Sequence, residues 1–127
     1  MPLVRIDIRR GKSAEYIAAL KDGIYAAMRE NFQVPENDRF MLVSQYEAEE
    51  FDYHPSYLDI QRSDDLVIVQ ITANNTRGVE QKKAFYRAVV DKLVANPGVR
   101  PEDVLINLVE TAKENWSFGN GVATYAT

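Results

Sequence analysis

The chemistry that this sequence suggests begins at its second residue. The chain opens Met1-Pro2-Leu3, and methionine aminopeptidases generally remove a first Met that precedes a small residue such as proline. Removal would leave Pro2 with a free secondary amine in place of an amide nitrogen. A free α-amino group titrates near ~8, close enough to neutrality to act as a general base or, when protonated, as a general acid. We therefore expect Pro2 to be a candidate acid/base residue.

The composition excludes several other kinds of site. The chain has no cysteine and one histidine, which rules out disulfides, thiolate nucleophiles, cysteine metal sites and His-rich clusters. Fifteen basic and nineteen acidic residues are interspersed and give a net charge of −4, which argues against nucleic-acid binding. No apolar run approaches the ~20 residues of a membrane span, and the start lacks a signal-peptide pattern. We expect a cytoplasmic protein with no membrane partner and, at 127 residues, a single domain spanning 1–127.

The first half of the chain contains the elements that would position Pro2. Apolar and polar residues alternate over 3–8, which predicts a strand with one buried face. Ser13 is predicted to be the N-cap of a helix. The apolar stripe of this helix recurs at three- and four-residue steps and comprises Ile17, Leu20, Ile24, Met28 and Phe32. A second strand is predicted at about 40–46.

The second half has the same order of elements. A nearly continuous apolar run at 66–72 predicts a strand buried on both sides. A second helix follows from about residue 79, with Phe85, Val89 and Leu93 in one stripe, and Pro97-Gly98 ends it. Another strand is predicted at 104–109.

Two segments lie outside this pattern. Residues 47–65 have apolar anchors among turn residues, and we interpret them as an ordered excursion with a short strand. Residues 122–125 are predicted to pair in a small C-terminal hairpin.

An offset of 63 positions superimposes the two halves. It pairs Leu3 with Leu66 and Val4 with Val67, and it pairs Leu42 with Leu105. The pseudo-repeats, about 2–48 and 65–111, would each form a right-handed β-α-β unit. The predicted fold is α/β (α+β), with a four-stranded mixed sheet and two helices on one face. An apolar opposite face would have to be covered by other subunits, so we expect an oligomer.

A duplicated β-α-β chain that starts Met-Pro and lacks cysteine resembles the tautomerase superfamily, and within it malonate semialdehyde decarboxylase and its relatives. The resemblance spans nearly the whole chain. It rests on Pro2 with its strand and on residues 34–40 (VPENDRF), 81–86 (QKKAFY) and 115–119 (NWSFG). It implies a homotrimer whose N-terminal prolines lie in pockets near subunit interfaces, with no metal or organic cofactor.

The resemblance also implies roles for individual residues. Pro2 would be the acid/base proline, Asp38 would position or activate water and keep the proline cationic, and Arg77 would bind the substrate carboxylate. Trp116 and Phe118 would form an apolar wall. The decarboxylase pattern often has two loop arginines two residues apart. This chain has Asn75 and Arg77 there, and an asparagine can donate a hydrogen bond to the carboxylate but supplies no charge.

Three functions follow as expectations. The first is decarboxylation of a malonate semialdehyde-like 3-oxo acid, and the second is keto–enol tautomerisation of a phenylpyruvate-like 2-oxo acid. A nearby Asp38 carboxylate would favour the cationic proline and the first reaction, whereas an apolar pocket would favour the neutral amine and the second. The third is a non-catalytic small-ligand-binding or interaction module, since a fold alone never proves function. In that case Asp38 would only pair with Arg39, Arg77 would be an ordinary loop residue, and Trp116 with Phe118 would cap the core.

Overall fold

The fold is seen in a computed structural model that describes residues 2–126. Four strands and two long helices follow one another as β1 (Leu3–Arg9), α1 (Ala14–Phe32), β2 (Met41–Tyr46), β3 (Val67–Asn74), α2 (Val79–Ala95) and β4 (Val104–Thr111). Short 3₁₀ turns occur at Ala48–Glu50, Tyr57–Asp59, Pro101–Asp103 and Lys113–Asn115.

The four strands form one mixed sheet in the order β2-β1-β3-β4. The outer pairs β1–β2 and β3–β4 are parallel, and the central pair β1–β3 is antiparallel. Val4 lies opposite Met41 in the first half, and Val67 lies opposite Val104 in the second. Both members of the second pair come 63 positions after those of the first. The duplicated β-α-β prediction is therefore confirmed down to the strand register.

Both helices pack on one face of the sheet and form one apolar core with it. Ser13 caps α1 as predicted, because its Oγ accepts a hydrogen bond from the Tyr16 backbone N–H at 3.1 Å. The predicted stripe of α1 is buried from Leu20 to Phe32, and that of α2 is buried throughout. The helices approach closely at Gly23, where a Cβ would lie 2.9 Å from Cδ2 of Leu93.

Within the described residues, no helix or strand covers the other face of the sheet, although Tyr53 and Tyr57 line a hollow together with Ile68 and Leu105 of that face. Strand β3 was expected to be buried on both sides. Its helix-facing side chains are buried, but on the other side Ile68 and Thr72 are half-buried and Gln70 is exposed, and only Asn74 at the strand end is buried. Leu42, Leu105 and Val109 are 48%, 39% and 39% exposed. The expectation for β3 therefore does not hold for the single chain, since only one face of the sheet has helices against it.

The predicted short strand in 47–65 is wrong. The segment makes its backbone hydrogen bonds within turns, such as Arg62 N–H to the Pro55 carbonyl at 2.9 Å, and this leaves no ladder to a neighbouring strand. It is held instead by the buried carboxylate of Asp103, which accepts hydrogen bonds from the N–H and hydroxyl of Ser63 at 2.8 and 2.6 Å. A buried carboxylate needs such donors to offset its desolvation.

The predicted C-terminal hairpin is also not formed within the described residues. Gly119, Asn120 and Gly121 all have positive φ angles, so the chain reverses tightly. The Thr124 N–H returns to the Trp116 carbonyl at 3.3 Å and the Phe118 N–H donates to the Thr124 hydroxyl at 3.2 Å, but no strand pairing follows. The tail is therefore a compact turn that packs through its aromatic rings.

Neither long helix, nor any other helix between residues 2 and 126, has the length and apolar character to cross a membrane.

Candidate active site

Pro2 is buried immediately before β1, on the wall of a cavity of about 260 Å³. The strand behind it is secured to the neighbouring segment, because the Val4 N–H donates to the Phe40 carbonyl at 2.9 Å. The lining consists of Pro2, Leu3, Phe40, Trp116, Ser117 and Phe118. Three of the predicted site residues are thus brought together, although more than 100 positions separate Pro2 from Trp116 and Phe118.

The aromatic residues of this cavity form a continuous wall. The rings of Trp116 and Phe118 stack with centroids 5.3 Å apart and planes 10° apart. The Phe118 ring also meets Phe40 at 5.7 Å. The indole Nε1 of Trp116 donates to the Thr111 hydroxyl at 3.0 Å. This bond sets the orientation of the indole and occupies its only donor, so Trp116 offers an apolar face to the cavity.

Asp38 and Arg77 lie in a second depression of about 270 Å³, whose lining consists of Gln33, Val34, Pro35, Asp38, Arg77 and Tyr125. A tight turn positions Asp38, since its N–H donates to the Pro35 carbonyl at 3.2 Å. The next residue anchors the turn to α1, because Arg39 forms an ion pair with Asp22 at 2.7 Å. In the alternative interpretation Asp38 would only pair with Arg39, but the ion-pair partner of Arg39 is Asp22.

The guanidinium of Arg77 is partly buried and has one committed donor. Its Nη2 donates to the Phe32 carbonyl at 2.8 Å, and its centre lies 4.9 Å from the centroid of the Phe32 ring. The Nη1 atom is buried without a hydrogen-bond partner among residues 2–126. Burial lowers the pKa of Arg77, and the nearby Glu110 carboxylate opposes that effect. An arginine stays charged under such conditions, so a partly desolvated cation lines the depression.

One aromatic residue of each hollow contacts the other, Phe118 from the first and Tyr125 from the second. Their rings contact edge to face, with centroids 5.3 Å apart. Phe118 lines the first hollow and Tyr125 lines the second. Sequence reasoning assigned no site role to Phe40 or Tyr125. Each is an aromatic residue close in sequence to a feature that could have pointed to it. Phe40 follows the predicted site residue Asp38, and Tyr125 follows the glycine-rich part of the tail.

Asn75 is exposed and lines neither hollow, and its N–H donates to the Thr111 carbonyl at 3.0 Å. The expected removal of Met1 concerns a residue outside the described range. Within that range, no three His, Asp or Glu side chains come together in a way that could hold a metal ion.

Comparison with known proteins identifies the family. Residues 38–119 match a family model described as "Tautomerase enzyme". The chain is 43% identical to "Probable tautomerase YusQ" of Bacillus subtilis (strain 168), over 97% of both proteins. It is 34% identical to a crystal structure of malonate semialdehyde decarboxylase, with a TM-score of 0.91 over 97% of this chain and 95% of that one.

A structure described as a fused 4-OT symmetric trimer has the same fold. It is 21% identical with a TM-score of 0.79, and the match covers 98% of both chains. Taken with the geometry above, the family match and the two closer similarities establish that this chain belongs to the tautomerase superfamily of enzymes, in the branch that resembles malonate semialdehyde decarboxylase.

Proposed function

We propose that this protein is a cofactor-independent enzyme that uses the amine of Pro2 on a small oxo acid, and that it decarboxylates a malonate semialdehyde-type 3-oxo acid. The observation that carries this proposal is the burial of Pro2 in a cavity walled by Trp116 and Phe118. The 34% identity to malonate semialdehyde decarboxylase supports the choice of reaction. The proposal requires removal of Met1, since an acylated proline nitrogen cannot take up or release a proton.

In this reaction the bond between the substrate's carboxylate carbon and its α-carbon breaks. The electron pair passes toward the carbonyl, carbon dioxide leaves, and the resulting enolate takes a proton at the α-carbon to give an aldehyde. A prolinium N–H beside the carbonyl oxygen would stabilise the developing negative charge. Alternatively, the amine could form an iminium with the carbonyl carbon, which would accept the same electron pair. Both routes need a free amine at Pro2.

Two charged side chains complete the proposed site. Arg77, which lines the second depression, would bind the substrate carboxylate through its guanidinium. Asp38, which lines the same depression, would favour the protonated proline and position water. The apolar face of Trp116 would favour loss of the carboxylate, because the localised negative charge disperses as the bond breaks.

A second reaction, keto–enol tautomerisation of a phenylpyruvate-like 2-oxo acid, is favoured by one specific observation. The hollow around Pro2 is mostly apolar, whereas Asp38 lines the adjacent depression. An apolar environment disfavours a charged amine, and a neutral proline could shuttle a proton between the enol oxygen and carbon. The similarity to a relative named a probable tautomerase agrees with this alternative.

We also propose that the protein assembles as a homotrimer. The exposed apolar residues Leu42, Leu105 and Val109 on the open sheet face support an assembly. The shared fold with a structure described as a symmetric trimer supports an assembly of three subunits. Size-exclusion chromatography with light scattering would measure the molar mass of the assembly. A monomer at micromolar concentration would contradict the proposal.

The deciding experiment combines intact mass with two assays on the same sample. We expect a mass that lacks the first Met, together with turnover of a 3-oxo acid that exceeds ketonisation of an enol. Faster ketonisation would favour the tautomerase alternative. A native protein that retains Met1 and catalyses neither reaction would instead support the non-catalytic binding module.

A further inference from the structure

An ion pair joins the start of α2 to the end of β4, close to Arg77. The Nζ of Lys82 donates to Oε1 of Glu110 at 2.8 Å, and the two side chains are 24% and 35% exposed. Strand β4 stays paired with the chain beyond β3, because the Asn75 N–H donates to the Thr111 carbonyl at 3.0 Å. Glu110 therefore lies beside the point where the chain leaves β3, and Lys82 lies where it enters α2. The loop that carries Arg77 connects these two points.

The charge of Glu110 acts on Arg77. Its carboxylate opposes the effect of burial and raises the pKa of the guanidinium. Among residues 2–126, however, the ion-pair partner of Glu110 is Lys82 and not Arg77. A carboxylate beside a guanidinium weakens the attraction of that guanidinium for a second carboxylate. Glu110 is thus a potential competitor of any acid that Arg77 binds.

We infer that Lys82 is a positioning residue for substrate binding, because its ion pair keeps Glu110 from pairing with Arg77 and leaves the guanidinium to the substrate carboxylate. This inference deepens the proposed function and rests on the role of Arg77 in binding the carboxylate. It also gives a task to part of the segment 81–86, which carries the family resemblance but lines neither hollow.

The side chains differ in their freedom to move. Glu110 has three rotatable side-chain bonds and is partly exposed, so it can change rotamer without disturbing the core once Lys82 no longer holds it. The guanidinium of Arg77 stays in place, because Nη2 donates to the Phe32 carbonyl at 2.8 Å. Neither Lys82 nor Glu110 lines the Pro2 cavity. Loss of the ion pair should therefore weaken carboxylate binding and leave the chemical step unchanged.

The test uses Lys82→Met, which removes the ammonium and keeps most of the length of the side chain. The binding probe is 3-hydroxypropanoate, which has a carboxylate but no carbonyl and therefore does not react. We expect its dissociation constant, measured by calorimetry, to rise about fivefold, a modest factor because the ion pair is partly exposed and screened by salt. For the 3-oxo acid, KM should rise by a similar factor while kcat stays within about twofold.

Two further variants separate the restraint on Glu110 from a general loss of charge. The double variant Lys82→Met/Glu110→Gln has no carboxylate left to compete for Arg77, so its dissociation constant should return to within about twofold of the native value. Lys83→Met is the matched control. It makes the same change in net charge one position along, at a side chain that is 67% exposed and paired with Glu80, and it should leave the dissociation constant unchanged.

An unchanged dissociation constant in folded Lys82→Met would overturn the inference. A double variant that binds as weakly as Lys82→Met would overturn it as well, and so would an equal loss of affinity in Lys83→Met. Thermal melts establish that each variant is folded. Pro2→Ala tests the proposed chemistry separately: if it keeps turnover, the proline mechanism fails, whereas the binding constants of the Lys82 variants still decide the role of that lysine.

Discussion

Arg77 donates a hydrogen bond from Nη2 to the carbonyl of Phe32, 2.8 Å away at the C-terminal end of α1. The last four carbonyls of a helix have no partner within the helix, and Gln81 satisfies another of them through Asn31 at 2.8 Å. Two side chains from the second half of the chain thus cap the C-terminal end of the helix in the first half. Arg77 also lines the candidate site. The same side chain therefore contributes both to the contact between the two repeats and to the proposed substrate binding.

Arg77→Ala should therefore affect both stability and binding. We expect a loss of about 1 kcal/mol in the free energy of unfolding from the lost cap. The KM for an oxo acid should rise about 100-fold, because the carboxylate would be left without its cation. Gln81→Ala is the matched control, since it removes a cap on the same helix end but lines neither hollow. Equal effects of the two variants on KM would contradict the role of Arg77 in binding.

Pro2→Ala should abolish most of the activity. The variant retains an N-terminal amine after processing but loses the rigid secondary amine, and acid/base groups contribute about 10²–10⁴-fold to rate. We expect kcat/KM to fall by at least about 100-fold, with a melting temperature close to that of the unmodified protein. Steady-state kinetics and thermal melts would measure both. Turnover within about threefold of normal would refute the proline mechanism.

Thr111→Val should loosen the aromatic wall. It removes the acceptor of the Trp116 Nε1–H and the donor to the Ala73 carbonyl, at 3.0 and 3.3 Å. We expect a loss of about 1–3 kcal/mol in stability and a change in indole fluorescence, which is specific because Trp116 is the only tryptophan in the chain. Thr111→Ser retains the hydroxyl and should restore both properties. If the serine variant behaves like the valine variant, the hydroxyl does not orient the indole.

Stability should fall at alkaline pH. The hydroxyl of Tyr46 donates to Asp7 at 2.6 Å and that of Tyr53 to Asp64 at 2.7 Å, and each bond raises the pKa of its tyrosine above the ordinary value. The folded state therefore holds these protons more tightly than the unfolded state does. The resulting stabilisation is complete below about pH 10, the ordinary tyrosine value, and is lost as pH rises through the raised folded values.

Urea midpoints between pH 8 and 11 would measure this fall. The stability of Tyr46→Phe should fall less steeply with rising pH than that of the unmodified protein. The variant has lost one of the two tyrosines whose ionisation is coupled to unfolding. Tyr57→Phe, at an exposed position, should decline as steeply as the original. An identical slope in the Tyr46 variant would argue against the Asp7 bond as a source of the pH dependence.

The sequence by itself determined the elements and their repetition. The Ser13 cap, the helical stripes and the strand alternation depend on residues a few positions apart, and each is visible as a local pattern. The offset of 63 predicted that the second half repeats the first, and the strand register repeats with it, since Val4 opposite Met41 recurs as Val67 opposite Val104. Two predicted elements were wrong, the short strand in 47–65 and the C-terminal hairpin. Both segments contain β-compatible residues, but tight turns use their backbone groups and no sheet edge receives them.

Only the tertiary structure decided how the candidate site is divided. The sequence proposed six site residues. Contacts between distant parts of the chain place Pro2, Trp116 and Phe118 on one hollow and Asp38 and Arg77 on another, and leave Asn75 outside both. Arg77 meets Phe32 across 45 positions because α1 and α2 pack side by side. Tyr125 enters the site because three consecutive positive-φ residues turn the tail back onto Phe118. Such contacts depend on the packing of whole elements, so no local pattern of residue types could reveal them.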